Sequence, residues 1–224
     1  MSSKESRGYS KDSFDLPKND ALELIESINP IDRTNGYRAL KKHYNDATDE
    51  VQFFVDKLLN ELMLYPRIEI QQLLSLGTKN TIDVLLKNIH LTKKEKPNIP
   101  SKKKSYPLSR NLTSRIIGCM DYRVFPYLIK KIGQLNDEDL TEVLEGIGHM
   151  IFYNELLDTK ENFFIFQDLL NKNLNNGFLT VNLITLLSAF KQKECLEYVK
   201  EIEPKIKDIR MIAELKRTKL LLEQ

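Results

Sequence analysis

The stretch RVFPYLIKKIGQLNDEDLTEVLEGIGHMIFYN, residues 123–154, contains two apolar helical stripes separated by a short acidic break. The break places Asp137 and Asp139 before the second stripe, where either carboxylate can cap the second helix. The stretch therefore predicts a pair of antiparallel helices, and it contains no catalytic signature.

Similar helix pairs are predicted downstream, over residues 161–173 with 178–192 and over residues 194–209 with 211–224. Upstream, Pro30 is expected to end the first helix of the chain. Helix pairs that recur every ~35–45 residues are typical of α-solenoids, in which each pair covers the apolar face of its neighbour. The sequence thus predicts an all-α fold of antiparallel helix pairs stacked as a right-handed α-solenoid.

The pair at 123–154 resembles a HEAT repeat, in which a proline begins the first helix and an Asp-containing turn precedes a second helix rich in apolar and small residues. The matching residues are Pro126, Asp137, Glu138, Asp139, Leu140, Val143, Leu144, Gly146 and Ile147. Thr141 stands where the family usually has arginine. The resemblance implies a HEAT- or armadillo-like scaffold that binds other molecules.

The composition indicates a globular chain, with 41% hydrophobic and 29% charged residues. We expect a flexible tail over residues 1–17 and a helical-repeat domain over 18–224, interrupted by a basic loop at about 91–108. Apolar runs are too short to span a bilayer, and the N-terminus lacks the apolar segment of a secretory signal. Cys119 and Cys195 are both predicted to be core residues, and two distant thiols favour the cytoplasm.

The acidic stretch is the first candidate site. Residues 136–170 carry nine acidic side chains against Lys160, a local charge of −8. Second helices usually form the binding face of a solenoid, so a row of carboxylates there would attract a basic polypeptide partner. The predicted partner-binding residues are Asp137, Glu138, Asp139, Glu142, Glu145, His149 and Tyr153. We expect Glu142 and Glu145 to be exposed, although a solvated face that only keeps the chain soluble has the same pattern.

The basic loop supports an alternative, a nucleic-acid-binding protein. Residues 91–110 carry seven basic side chains against Glu95, a local charge of +6. The candidate phosphate-binding residues are Lys93, Lys94, Lys96, Lys102, Lys103, Lys104 and Arg110. Tyr106 is the one aromatic residue among them, so base stacking has little support, and a solvated linker has the same composition.

The sequence contains none of the common motifs for nucleophilic catalysis, phosphate binding or metal binding. It has no nucleophile elbow, no phosphate-binding glycine loop and no metal-ligand spacing of His or Cys. We therefore predict a non-enzymatic protein with no catalytic residues, no cofactor and no metal. The size and the composition rich in Lys, Asn, Ile and Leu also resemble those of compact HEAT-like immunity proteins, which neutralise a toxin in bacteria.

Overall fold

The structure, a computed structural model, describes residues 4–11, 15–92, 106 and 109–223. The described residues form twelve α-helices and no strand, which confirms the predicted all-α class. The chain divides into two compact units, Met1–Thr92 and Lys93–Gln224. None of the helices in the described ranges is long and apolar enough to cross a membrane.

The first unit contains five α-helices in its described part. They are α1 (Lys18–Ile25), α2 (Pro30–Leu40), α3 (Thr48–Asn60), α4 (Leu64–Leu74) and α5 (Lys79–Lys87). Helix α2 packs against α1 and α4, and α3 packs against α4 and α5. Leu40, Phe54, Leu58, Ile70 and Leu85 are among the residues buried in this unit.

Pro30 begins a helix, whereas the sequence led us to expect that it would only end the preceding one. The Asn29 side chain accepts a hydrogen bond from the Ile31 backbone N–H at 3.1 Å and so caps α2. Proline suits this first helical position because its missing N–H would have no partner inside the helix.

Part of the segment predicted as a tail contacts α2. The Thr34 hydroxyl donates to the Gly8 carbonyl at 2.7 Å, and Arg38 Nη1 donates to the Ser10 carbonyl at 2.9 Å. The flexibility expected over residues 1–17 stays a prediction, and residues 1–3 and 12–14 lie outside the described ranges.

The second unit contains seven α-helices in its described part. They are α6 (Leu112–Gly118), α7 (Phe125–Ile132), α8 (Asp137–Phe152), α9 (Lys160–Lys172), α10 (Gly177–Leu187), α11 (Lys193–Ile202) and α12 (Ile209–Leu222). Helix α8 packs against α6 and α10, and α10 also packs against α12. Helices are present over the segments predicted downstream of residue 110, and α9 contacts α10 as α11 contacts α12, whereas α7 and α8, predicted as the first such pair, pack against each other less closely.

An aromatic cluster fills part of the core of this unit. The Phe163 ring centroid lies 5.9 Å from that of Phe190 and 6.0 Å from that of Tyr198, and Phe166 lies 6.1 Å from Phe190. All four side chains are buried.

The two cysteines differ in their surroundings. Cys195 on α11 is buried, as predicted. Cys119 is exposed just beyond the end of the short helix α6, so its prediction as a core residue was wrong.

Candidate functional site

Helix α8 carries the acidic side chains and begins at a side-chain cap. Asn136 is the capping residue, because its Oδ1 accepts a hydrogen bond from the Asp139 backbone N–H at 2.9 Å. The prediction that Asp137 or Asp139 caps this helix was therefore wrong. Both carboxylates lie in the first turn instead, where the positive end of the helix dipole stabilises negative charge.

Four of the predicted residues line one groove of about 730 Å³ along α8 and the start of α10. We call it the acidic groove and define it by Asp137, Glu138, Glu142 and Glu145. It is also lined by Arg110, Thr141, Asn176, Gly177, Phe178, Leu179, Val181 and Asn182. Four carboxylates against one guanidinium make this lining strongly negative.

Neighbouring groups hold the carboxylates at both ends of the acidic groove. The Asn176 side-chain amide donates to Asp137 Oδ2 at 2.7 Å, and the Arg110 backbone N–H donates to Glu145 Oε2 at 3.0 Å. Glu138 is exposed, whereas Glu142 and Glu145 are half-buried, which corrects the expectation that both are exposed. The groove therefore presents carboxylates in partly fixed positions.

An exposed aromatic side chain lies beside these carboxylates. Phe178, at the start of α10, exposes 70% of its surface, and the Arg210 guanidinium carbon lies 5.1 Å from its ring centroid. Half-buried Val181 lines the groove one turn further along α10. Carboxylates next to an aromatic ring can bind a Lys or Arg side chain by charge and by cation–π contact together.

The other three predicted residues do not line the acidic groove. Asp139 Oδ2 accepts a hydrogen bond from the Asn136 side-chain amide at 2.9 Å. His149 Nδ1 lies 3.1 Å from the Gly118 carbonyl oxygen of α6, and the His149 ring centroid lies 4.6 Å from that of exposed Tyr153. Burial lowers the pKa of His149 below its ordinary value and so favours the neutral imidazole.

Sequence reasoning missed the α10 side of the acidic groove. In the sequence this region is only a turn, NNG at residues 175–177, followed by an apolar run. The groove residue Asn176 lies in that turn, and the groove residues Phe178 and Val181 lie in the run. The order of the predicted helix pairs could have indicated this side of the groove, because the second helices of consecutive repeats pack side by side. That order would have placed α10 beside α8.

Of the residues predicted for the alternative phosphate-binding site, the structure describes only Arg110. Lys93, Lys94, Lys96, Lys102, Lys103 and Lys104 lie outside the described residues. Arg110 is exposed and lines the acidic groove together with the four carboxylates. Arg110 therefore lies beside carboxylates, which does not favour phosphate binding there.

The surroundings of both thiols disfavour the thiolate, which is the nucleophilic form of cysteine. Neighbouring protein atoms partly desolvate the thiol of exposed Cys119 and raise its pKa, and burial raises the pKa of Cys195 to about 12. Within the described ranges, no group of three or more His, Cys, Asp or Glu side chains is arranged to hold a metal ion.

Comparison with known proteins finds no protein family, no curated protein and no solved structure that matches this chain. The HEAT-like resemblance therefore stays a prediction from the residues that carry it.

Proposed function

We propose that this chain is a non-enzymatic protein-interaction module whose acidic groove binds a basic polypeptide. The observation that carries the proposal is the convergence of Asp137, Glu138, Glu142 and Glu145 on one groove that also contains exposed Phe178. Opposite charge would accelerate association with a basic partner, and the aromatic ring would supply an anchor.

The packing order in the second unit supports a scaffold of the HEAT type. Helix α8 contacts α6 and α10, and α10 contacts α12, which is the order expected when second helices of successive pairs lie side by side. A right-handed solenoid is the arrangement that we propose for these pairs. The α8 surface would then be part of its binding face.

A toxin-neutralising immunity role in the cytoplasm is the biological setting that we propose for this interaction. An acidic surface suits it, because many polypeptides that act on nucleic acids are basic and a carboxylate-lined groove would compete for their cationic side chains. This setting rests on the size, composition and charge of the chain.

A titration with a labelled lysine-rich peptide without apolar residues tests the binding claim. We expect saturable binding that weakens as salt is raised, because partly exposed charges are screened. A glutamate-rich peptide of equal length should not bind. If a labelled DNA duplex binds more tightly than the lysine-rich peptide under the same conditions, the nucleic-acid alternative replaces this proposal.

A further inference from the structure

Two ion pairs join α1 to α3 in the first unit. Lys18 Nζ lies 3.2 Å from Glu50 Oε2 near the start of both helices, and Lys57 Nζ lies 2.5 Å from Glu26 Oε1 near the end of both. The helices therefore run in the same direction. The two pairs lie about 10–12 Å apart along the helices, given a rise of about 1.5 Å per residue.

An apolar pocket of about 530 Å³ lies at this pair of helices. Its apolar lining is Leu22, Phe53 and Phe54. Phe54 is only 1% exposed, and its ring centroid lies 6.4 Å from that of Tyr37 and 6.1 Å from that of Tyr44. The floor is thus fixed by the core, and the pocket is large enough for one or two apolar side chains.

Phe53 forms the exposed wall of this pocket. It leaves 37% of its surface exposed, and its ring centroid lies 5.2 Å from that of Phe54. The Lys57 ammonium lies 5.3 Å from the Phe53 ring centroid, so the same lysine binds Glu26 and holds the ring. An apolar wall held in place from two sides suits a docking site, because little freedom is lost on binding.

The surface around the pocket is negative. Asp49 and Asp56 are exposed one turn before and one turn after Phe53 on α3. Glu23 lines the pocket, is exposed, and has no ion-pair partner among the residues that the structure describes. Both nearby lysines, Lys18 and Lys57, are already paired.

We propose that the pocket at Leu22 and Phe53 takes a large apolar side chain of a protein partner, presented beside Lys or Arg residues that meet Glu23, Asp49 and Asp56. Buried apolar anchors surrounded by complementary charge are the usual pattern of a protein interface. This site lies in the first unit and is separate from the acidic groove, so it stands or fails independently of the proposed function.

The chain contains no tryptophan, so the emission of a tryptophan-containing peptide can be followed selectively. The probe is a short helical peptide with tryptophan and leucine on one face and lysines at the two edges of that face. We expect its emission to shift to shorter wavelength and to saturate when the full chain is added. Phe53→Ser and Leu22→Ser should each weaken binding at least about tenfold. Leu76→Ser, at an exposed leucine after α4, should leave binding unchanged.

The contribution of the acidic side chains is tested by the double variant Glu23→Lys with Asp56→Lys. This variant should bind the peptide more weakly than the wild type, and its affinity should depend less on salt concentration. Circular dichroism confirms that each variant is folded. The proposal is overturned if the emission does not shift, if Phe53→Ser binds like the wild type, or if a peptide with glutamate in place of lysine binds equally well.

Two further outcomes would assign the probe elsewhere. Loss of binding in Glu138→Lys with Glu142→Lys alone would place the probe at the acidic groove. Self-association that Phe53→Ser abolishes would make a second copy the occupant. Either result contradicts the proposal.

Discussion

The Gly146 backbone N–H donates a hydrogen bond to Ser114 Oγ at 2.9 Å, which joins α8 directly to α6. A Cβ atom at position 146 would lie 2.2 Å from the Ser114 carbonyl oxygen, far inside contact distance. The absence of a side chain at Gly146 therefore lets the two helices approach, and this contact helps to fix α8, which carries the acidic groove.

Gly146→Ala should destabilise the protein by about 2 kcal/mol, because the added methyl group forces α6 and α8 apart. Urea unfolding followed by circular dichroism measures the change. Gly133→Ala is the matched control, since a Cβ there would meet its nearest atom at 4.0 Å. This control should be neutral or stabilising by up to about 1 kcal/mol. Equal effects of the two substitutions would contradict the close approach.

Leu144→Asp should remove more than about 4 kcal/mol of stability, because Leu144 is completely buried and a carboxylate there would have no partner. Thermal unfolding monitored by circular dichroism is the measurement. Leu156→Asp, at a leucine that is 65% exposed, should change stability by no more than about 0.5 kcal/mol. A Leu144→Asp protein that melts at the same temperature as the wild type would show that this face of α8 is not buried.

The Tyr106 hydroxyl is buried and has no hydrogen-bond partner among the described residues. Tyr106→Phe should therefore keep or raise stability, by up to about 1 kcal/mol, since an unsatisfied polar group is removed. Tyr198→Phe gives the opposite case, because the Tyr198 hydroxyl donates to Asn171 Oδ1 at 2.8 Å. Its loss should cost about 1 kcal/mol in urea unfolding, and a larger loss in Tyr106→Phe than in Tyr198→Phe would refute this interpretation.

His149 should make stability depend on pH. Burial lowers its pKa below the ordinary value of 6.5, so the unfolded chain takes up a proton at higher pH than the folded chain. The stability that neutral His149 contributes is complete above the unfolded pKa and is lost as pH falls through the lower folded pKa. The free energy of unfolding of the wild type relative to His149→Gln should therefore decrease between about pH 7.5 and pH 5. A difference that stays constant or grows as pH falls would contradict the assignment.

Much of α8 was predictable from the sequence, because its apolar residues repeat with the helical period and its acidic residues lie between them. The start of α2 was missed although the sequence carries its signal, because Asn29 directly before Pro30 is the order of a helix cap followed by proline at the first helical position. Cys119 was assigned to the core from its residue type, whereas its exposure depends on where the short helix α6 ends.

Only the α8 side of the acidic groove could be predicted from the sequence. The spacing of Glu138, Glu142 and Glu145 places them on one side of α8, a local property of the helix. Phe178 and Asn176 join them only because α10 packs beside α8, which is a long-range contact. The position of His149 could not be predicted in this way, because its ring turns to the Gly118 carbonyl of α6.

The most direct test of the central claim is the affinity of the lysine-rich peptide for Glu138→Lys with Glu142→Lys, measured by fluorescence anisotropy beside a matched control. The control is Glu161→Lys with Asp168→Lys, which reverses two exposed charges on α9 outside the acidic groove. We predict that the groove variant binds about thirtyfold more weakly, a loss of about 2 kcal/mol, while the control stays within about threefold of the wild type. Equal losses in the two folded variants, or full affinity in the groove variant, would contradict binding at the acidic groove.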